Sequence, residues 1–196
     1  QMCIRDRDYI PYTPQNEEEF FQQLEQWNDE DEYTRCIQAL NAIPEDWRNY
    51  RTSYALARAL ENYAIIGDHD EGTPNYKGDK ALRRAIDVLE SVREEGQDKA
   101  EWNMRMAYGY QYLYGQEEKA IPYAQRWAEL DPQDENALAV IQECQEEIAK
   151  RAEAEAEDES DHTGVFTGFV LLSKAEWDKE QFIRDMKEKW DIAVDE

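Results

Sequence analysis

Residues 100–134 read AEWNMRMAYGYQYLYGQEEKAIPYAQRWAELDPQD, and this stretch is the clearest evidence for the fold class. Apolar or aromatic residues recur every three to four positions from Met104 to Tyr112, and again from Ala120 to Trp127. That spacing places them on one face of an α-helix. The stretch therefore predicts two amphipathic helices joined by a short turn.

The second helix of this unit has two counterparts earlier in the chain. Residues 36–43, 85–92 and 120–127 all read small, Ile, any, apolar, apolar or small, any, any, large apolar, at offsets of 49 and 35 residues. The longer offset contains a polar insertion at 67–80. The small first positions, Cys36, Ala85 and Ala120, would let a neighbouring helix approach closely, so we expect all three to be buried.

Each of these helices has an apolar partner upstream. The partners are Phe20, Leu24 and Trp27; then Leu56, Ala57, Leu60 and Tyr63; then Met104, Ala107, Tyr108 and Tyr112. A helix–turn–helix unit cannot bury its apolar face alone, and stacked neighbours supply the core. The sequence therefore predicts an all-α array of about three repeats.

The unit at 100–134 resembles a tetratricopeptide repeat (TPR), with Gly115 at the turn, Ala120 at the small position and Leu130-Asp131-Pro132 as the closing signature. The sequence departs from that pattern in the third repeat at Met104 and Tyr108, and in the first at Cys36 and Pro44. The resemblance covers roughly residues 16–134, and its 35-residue offset is close to the TPR period of about 34. It implies a right-handed α-solenoid whose first helices line a concave groove.

The pattern changes after Pro132. Ala137, Ile141, Cys144 and Ile148 predict one more amphipathic helix, of the polar-faced kind that caps solenoids. We therefore expect a disordered lead over 1–15, a TPR-like domain with its capping helix over 16–152, and an acidic linker over 153–163. Residues 164–196 would start an incomplete α/β or α+β domain.

That last region predicts a short strand at 165–172, followed by a helix. The segment GFVLLSKAEWDKEQFIRDMKEKWDI resembles the first strand and helix of a bacterial domain of unknown function that often follows such repeats. A lone strand is not stable. We therefore expect the chain to be truncated here, or the strand to pair edge to edge with a second copy.

The composition narrows the functional class. A net charge of −24 argues against nucleic acid and against an anionic membrane surface as partners. Three cysteines without a CxxC pair favour a reducing cytoplasm. His69 and His162 stand alone in polar segments, and no nucleophile, phosphate-binding or metal motif is present. The sequence predicts no enzyme activity, cofactor or metal.

Six residues are candidates for the concave groove, because arginine and aromatic side chains anchor interfaces. They are Arg51, Tyr54, Arg58, Trp102, Arg105 and Tyr112. Three arginines gathered in one groove could hold a partner's carboxylate. In the alternative interpretation the arginines pair with Glu61, Glu101 or other local acids, and the aromatic residues belong to the core between repeats.

Two functions follow from this pattern. In the first, the repeats are a protein-interaction module that binds a protein or peptide segment in the groove, as the resemblance implies. In the alternative, the repeats are a scaffold or regulatory module for a C-terminal domain, immunity-like or enzymatic, that is mostly missing from this chain.

Overall fold

The computed structural model describes residues 9–66 and 76–165, and within these ranges all regular structure is helical. The α-helices are α1 (Glu17–Asp29), α2 (Tyr33–Asn41), α3 (Tyr50–Ile65), α4 (Tyr76–Glu90), α5 (Arg93–Gly96), α6 (Ala100–Gln111), α7 (Glu117–Leu130) and α8 (Asn136–Val165). A short 3-10 helix spans Glu45–Trp47. Since no strand occurs in the described residues, the all-α prediction is confirmed for this part of the chain.

The helices pack in sequential pairs. α1 contacts α2, α3 contacts α4, and α6 contacts α7. Each pair also contacts the next, through α2 with α3 and through α4 with α6. The first helices of the second and third pairs, α3 and α6, touch directly.

The small residues of the repeated pattern are buried between helices. Cys36 is 3% exposed, and Ala85 and Ala120 are fully buried. A larger side chain at these positions would push two helices apart, because protein interiors are packed to near-crystalline density. The prediction that all three are buried is confirmed.

Two cores hold the pairs together. The larger one runs from α1 to α6 and contains Phe20, Leu89 and Met106, all fully buried. The smaller one joins α6, α7 and the start of α8 through Trp127, Val140 and their neighbours. The residues of α8 predicted to face the repeats behave as expected at Ala137 and Cys144, which are buried.

Glycine is required at two positions for different reasons. Gly115 has a φ of 75° in the turn between α6 and α7, a conformation that side-chain-bearing residues rarely adopt. Gly96 ends α5 beneath the indole of Trp102, where an added Cβ would lie 2.3 Å from the ring carbon Cδ1. Trp102 is 1% exposed and its indole N–H donates to the carbonyl of Leu89 at 3.0 Å, so the ring is held in place.

The lead differs from its prediction where the structure describes it. Residues 9–15 pack on the first helix pair, whereas the sequence predicted disorder over 1–15. Tyr12 is buried, with 5.3 Å between its ring centroid and that of Phe20, and Tyr9 stacks on Trp27 with 6.3 Å between ring centroids. Two aromatic side chains bury enough apolar surface to order a short segment that lacks regular structure.

Residues 153–165 also differ from their prediction. The chain divides into two compact units, residues 1–149 and 150–196. The predicted acidic linker at 153–163 and Val165, the first residue of the predicted strand, belong to α8. Alanine and glutamate, which dominate residues 152–157, are strong helix formers and favour continuation of the helix.

The remainder of the predicted strand, the helix after it and the proposed edge pairing lie outside the described residues. Among the helices at 9–66 and 76–165, none combines the length and the apolar character needed to cross a lipid bilayer.

Candidate binding groove

A groove of about 640 Å³ lies between α1 and α3, the first helices of the first two pairs. Helical periodicity builds both walls, since residues three, four and seven apart share a face. The α1 wall carries Glu18, Phe21, Gln22, Glu25, Gln26, Asp29 and Glu30; the α3 wall carries Arg51, Tyr54, Ala55 and Arg58. Three of the six predicted groove residues, Arg51, Tyr54 and Arg58, therefore line one groove.

Arg51 is held by the opposite wall. Its guanidinium donates to the carboxylate of Glu18 and lies 3.5 Å from that of Glu17. It also stacks on Phe21, with 4.0 Å between the guanidinium carbon and the ring centroid. The hydrogen bond and charge of Arg51 lower the pKa of Glu18, so this carboxylate stays ionised.

Arg58 is paired in the same way two turns further along. Its Nη1 donates to Glu25 Oε1 at 2.6 Å, again across the groove from α3 to α1. Both groove arginines thus bind carboxylates of their own chain, which agrees with the alternative that they pair with local acids. Four acidic and two basic side chains line the groove, which leaves it a net charge of −2.

The third arginine lies beside the groove in a buried contact between α3 and α6. Arg105 Nη1 donates to Glu61 Oε2 at 3.2 Å, and Glu61 is fully buried. Glu61 was among the acids that the sequence offered as a partner. Arg105 also hydrogen-bonds to Tyr54, so the contact reaches a residue of the groove wall.

Burial dominates the titration of this pair. Removal from water raises the pKa of Glu61 to about 8, although the charge and hydrogen bond of Arg105 oppose the shift. Burial also disfavours the Arg105 cation, but Glu61 and Tyr54 outweigh it and the pKa of Arg105 is raised. Glu61 Oε1 and Arg105 Nε have no hydrogen-bond partner among the described residues, so the pair is not fully satisfied.

The other two predicted residues do not line this groove. Trp102 belongs to the core, where it packs on Gly96 and donates to Leu89, as the alternative interpretation allowed. Tyr112 follows the last residue of α6 and is 49% exposed. Helical spacing placed both on the inner face, but it did not indicate that neighbouring elements would cover Trp102 or that Tyr112 would stay exposed beyond the end of α6.

The acidic wall of the groove was missed by the sequence analysis. Glu18, Glu25 and Asp29 occur at i, i+7 and i+11 of α1, with Phe21 at i+3 among them. The six predicted groove residues all lie in the second and third repeats, whereas this acidic face belongs to the first. The acids also carried little information individually, since the chain contains 46 of them.

A second concavity of about 490 Å³ lies between α5, α6 and α7. Its basic side chains are Arg93, Lys119 and Arg126. Arg93 donates to Glu90 at 2.7 Å, and Arg126 donates to Glu129 at 2.9 Å and to Asp98 at 3.0 Å. Both arginines here are already engaged by acids.

The two cysteines of the described ranges are buried thiols. Burial raises the pKa of the Cys36 and Cys144 thiols to about 11, so both remain protonated near neutral pH. In the described ranges no three His, Cys, Asp or Glu side chains come together in a way that could bind a metal ion. Cys3 and His69 lie outside the described residues.

The geometry is therefore that of an open, acid-rimmed groove with an aromatic floor and a buried ionic contact beside it. No protein-family model, no curated protein and no solved structure matches this chain.

Proposed function

We propose that this chain is a protein-interaction module. The three helix pairs form a tetratricopeptide-like right-handed α-solenoid, and the first helices of the pairs line a groove that binds a segment of a partner protein. The observation that carries the proposal is the groove between α1 and α3, which is open to solvent over a length of three helical turns, from Glu18 to Asp29.

The packing order supports the solenoid. In a solenoid each repeat contacts only its neighbours, and the contacts between successive pairs follow that order. The direct contact of α3 with α6 supports a layer of first helices on one side of the array. The buried Glu61–Arg105 contact links these two helices close to the groove.

The shape and lining of the groove support a peptide-like occupant. Its floor is formed by Phe21, Tyr54 and Ala55, and charged side chains rise at the rim. Binding sites for protein segments commonly combine an aromatic or apolar centre with a polar rim. The alternative function, a scaffold for a C-terminal domain, concerns residues outside the described ranges, and no structural observation favours it.

The test fills the groove without changing its charge. Ala55→Phe adds a ring to the groove wall, and Ala139→Phe adds the same ring at an exposed position on α8. A random-sequence peptide library is panned on the wild-type chain, and enriched peptides are then measured by fluorescence anisotropy on all three proteins. We expect the enriched peptides to bind wild type and Ala139→Phe alike, and to bind Ala55→Phe at least about tenfold more weakly.

Two results would contradict the proposal. One is a library from which no peptide is enriched above background. The other is equal binding to Ala55→Phe and Ala139→Phe while circular dichroism shows both variants fully helical, because the peptides would then occupy some other surface.

A further inference from the structure

We infer that the segment bound in the groove is basic: an unstructured stretch whose lysine or arginine side chains flank apolar ones. This inference rests on the proposed function and specifies the partner's chemistry. It also reverses the first expectation from the sequence, in which the groove arginines would hold a carboxylate of the partner.

The arginines of the groove are already paired with carboxylates of this chain. Arg51 is bound by Glu18 and stacked on Phe21, and Arg58 is bound by Glu25. A partner's carboxylate that approached either guanidinium would lie beside a carboxylate of α1 already in place and would be repelled by it. The arginines instead hold two carboxylates of α1 at the rim of the groove.

Those carboxylates remain accessible from solvent. The side chains of Glu18 and Glu25 are 74% and 57% exposed although each contacts an arginine. Asp29 and Glu30 extend the acidic rim at the end of α1, and both are exposed. Each ionised carboxylate accepts several hydrogen bonds, so a single arginine leaves acceptor positions for a ligand's ammonium or guanidinium.

The floor suits the apolar parts of such a segment. The ring of Tyr54 stacks on that of Tyr50 with 6.1 Å between centroids, which fixes its orientation. Phe21 already carries one guanidinium on its face, and aromatic faces attract cations generally. The aliphatic stems of lysine and arginine can lie along apolar surface while their charged ends reach the acidic rim.

The charge of the whole chain acts in the same direction. A net charge of −24 attracts basic segments over a distance and repels acidic ones. Such steering raises association rates most strongly at low ionic strength. The groove and the electrostatic field of the whole chain therefore both favour a positively charged partner.

In the part of the chain that the structure describes, the concavity between α5, α6 and α7 is a competing location for an acidic segment. Its two arginines are engaged by Glu90, Asp98 and Glu129. Lys119 lies 5.8 Å from the ring centroid of Tyr110 and has no carboxylate partner in the described part of the chain. One unengaged lysine is a weak site for an acidic partner within so acidic a chain.

The experiment uses three fluorescein-labelled peptides of identical length: one rich in lysine and leucine, and two in which glutamine or glutamate replaces every lysine. The groove variant is Asp29→Lys with Glu30→Lys. Both positions are exposed at the end of α1, where basic residues suit the helix dipole, so the fold should persist. The matched control, Glu45→Lys with Asp46→Lys, makes the same change in net charge on exposed residues outside the groove.

We expect the lysine peptide to bind wild type and the control, and to lose at least about tenfold in affinity on the groove variant. Its affinity should also fall as salt is raised, because exposed charges are screened. Equal or tighter binding of the glutamine or glutamate peptide would overturn the inference.

If the neutral or acidic peptide binds wild type but binds Ala55→Phe much more weakly, the groove is still the binding site. The proposed function then holds, and only the preference for basic partners is wrong. If the affinity of the lysine peptide falls equally for the groove variant and the control, the inference is also overturned. The attraction would then come from the net charge of the whole chain and not from the groove. Absence of binding by all three peptides, together with an empty library selection, overturns both the inference and the proposed function.

Discussion

At the scale of single residues, the buried Glu61–Arg105 contact has a large energetic consequence. Both the carboxyl group and the guanidinium lose hydration there, and removing one partner of such a buried pair is more costly than replacing both. Glu61 also lies close to Gly109, where an added Cβ would be 3.6 Å from its Oε1. Glu61 and Arg105, on two different helices, therefore depend on one another.

The first prediction concerns the pH dependence of stability. The pKa of Glu61 is raised from an ordinary 4.5 to about 8 in the folded chain, so the folded state binds a proton more tightly than the unfolded state. Its contribution to stability is fully present below the ordinary pKa and is lost as pH rises toward 8. Over that window Glu61 lowers the free energy of unfolding by up to about 1.4 kcal/mol per pH unit.

Glu61→Gln keeps the shape of the side chain and removes its titration. Urea unfolding followed by circular dichroism at several pH values between 5 and 8 should show a shallower decline for Glu61→Gln than for wild type. Glu25→Gln, at an exposed carboxylate, should follow the wild-type profile. Parallel profiles for wild type and Glu61→Gln would show that Glu61 is ionised throughout this range.

At this scale the sequence predicted part of the site. Helical spacing placed Arg51, Tyr54 and Arg58 on one face of α3, and they do line the groove. It could not separate Trp102 from the groove, because the burial of that indole depends on Leu89 of α4 and Gly96 of α5. Contacts between residues far apart in sequence leave no mark on the spacing within one helix.

At the scale of elements, helix boundaries follow local chemistry. α3 begins with a reciprocal cap: Asn49 Oδ1 accepts from the backbone N–H of Thr52 at 3.0 Å, and Thr52 Oγ1 accepts from that of Asn49 at 2.9 Å. α7 follows the N-cap residue Gln116, whose side chain makes no capping hydrogen bond. Such a cap satisfies backbone donors that would otherwise lack an intrahelical partner.

The second prediction compares these two helix starts. Asn49→Ala should lower the free energy of unfolding by about 1 kcal/mol, because it removes the acceptor for the N–H of Thr52. Gln116→Ala, at a helix start without a cap bond, should change it by less than about 0.5 kcal/mol. Urea denaturation of both variants measures the difference, and equal losses would mean that the α3 cap contributes nothing beyond a generic substitution.

The helices were the feature that the sequence predicted best. Apolar periodicity indicated the three helix pairs and the start of α8, because burial of one face imposes a period that the sequence must carry. Residues 9–15 and 153–163 were predicted less well. Residues 9–15 are ordered by the packing of Tyr9 and Tyr12, and residues 153–163 are helical because they are rich in helix-forming residues. Neither cause produces a periodic pattern of apolar residues.

At the scale of the whole molecule, charge is the dominant quantity. With a net charge of −24, the acids repel one another in any compact state. The exposed pairs of Arg51, Arg58 and Arg126 act against this repulsion, but pairs of this kind contribute only about 0–1 kcal/mol each. Repulsion should therefore exceed attraction among the surface charges.

The third prediction follows from that balance. Raising NaCl from about 10 mM to about 150 mM shortens the screening length from about 30 Å to about 8 Å, so the Tm should rise. Differential scanning calorimetry measures the change, and Glu45→Lys with Asp46→Lys should show a smaller rise because fewer acids remain to be screened. A Tm that falls with added salt would mean that the surface ion pairs outweigh the repulsion.

Gly96 and Trp102 carry a consequence for ancestry. Because a methyl group at position 96 would collide with the indole, a descendant that acquires any other residue there must also surrender the tryptophan, and one that keeps the tryptophan must keep the glycine. Gly96 and Trp102, six positions apart, should therefore be inherited together. Distant homologues of this chain should keep that linked pair even where the rest of the sequence has diverged.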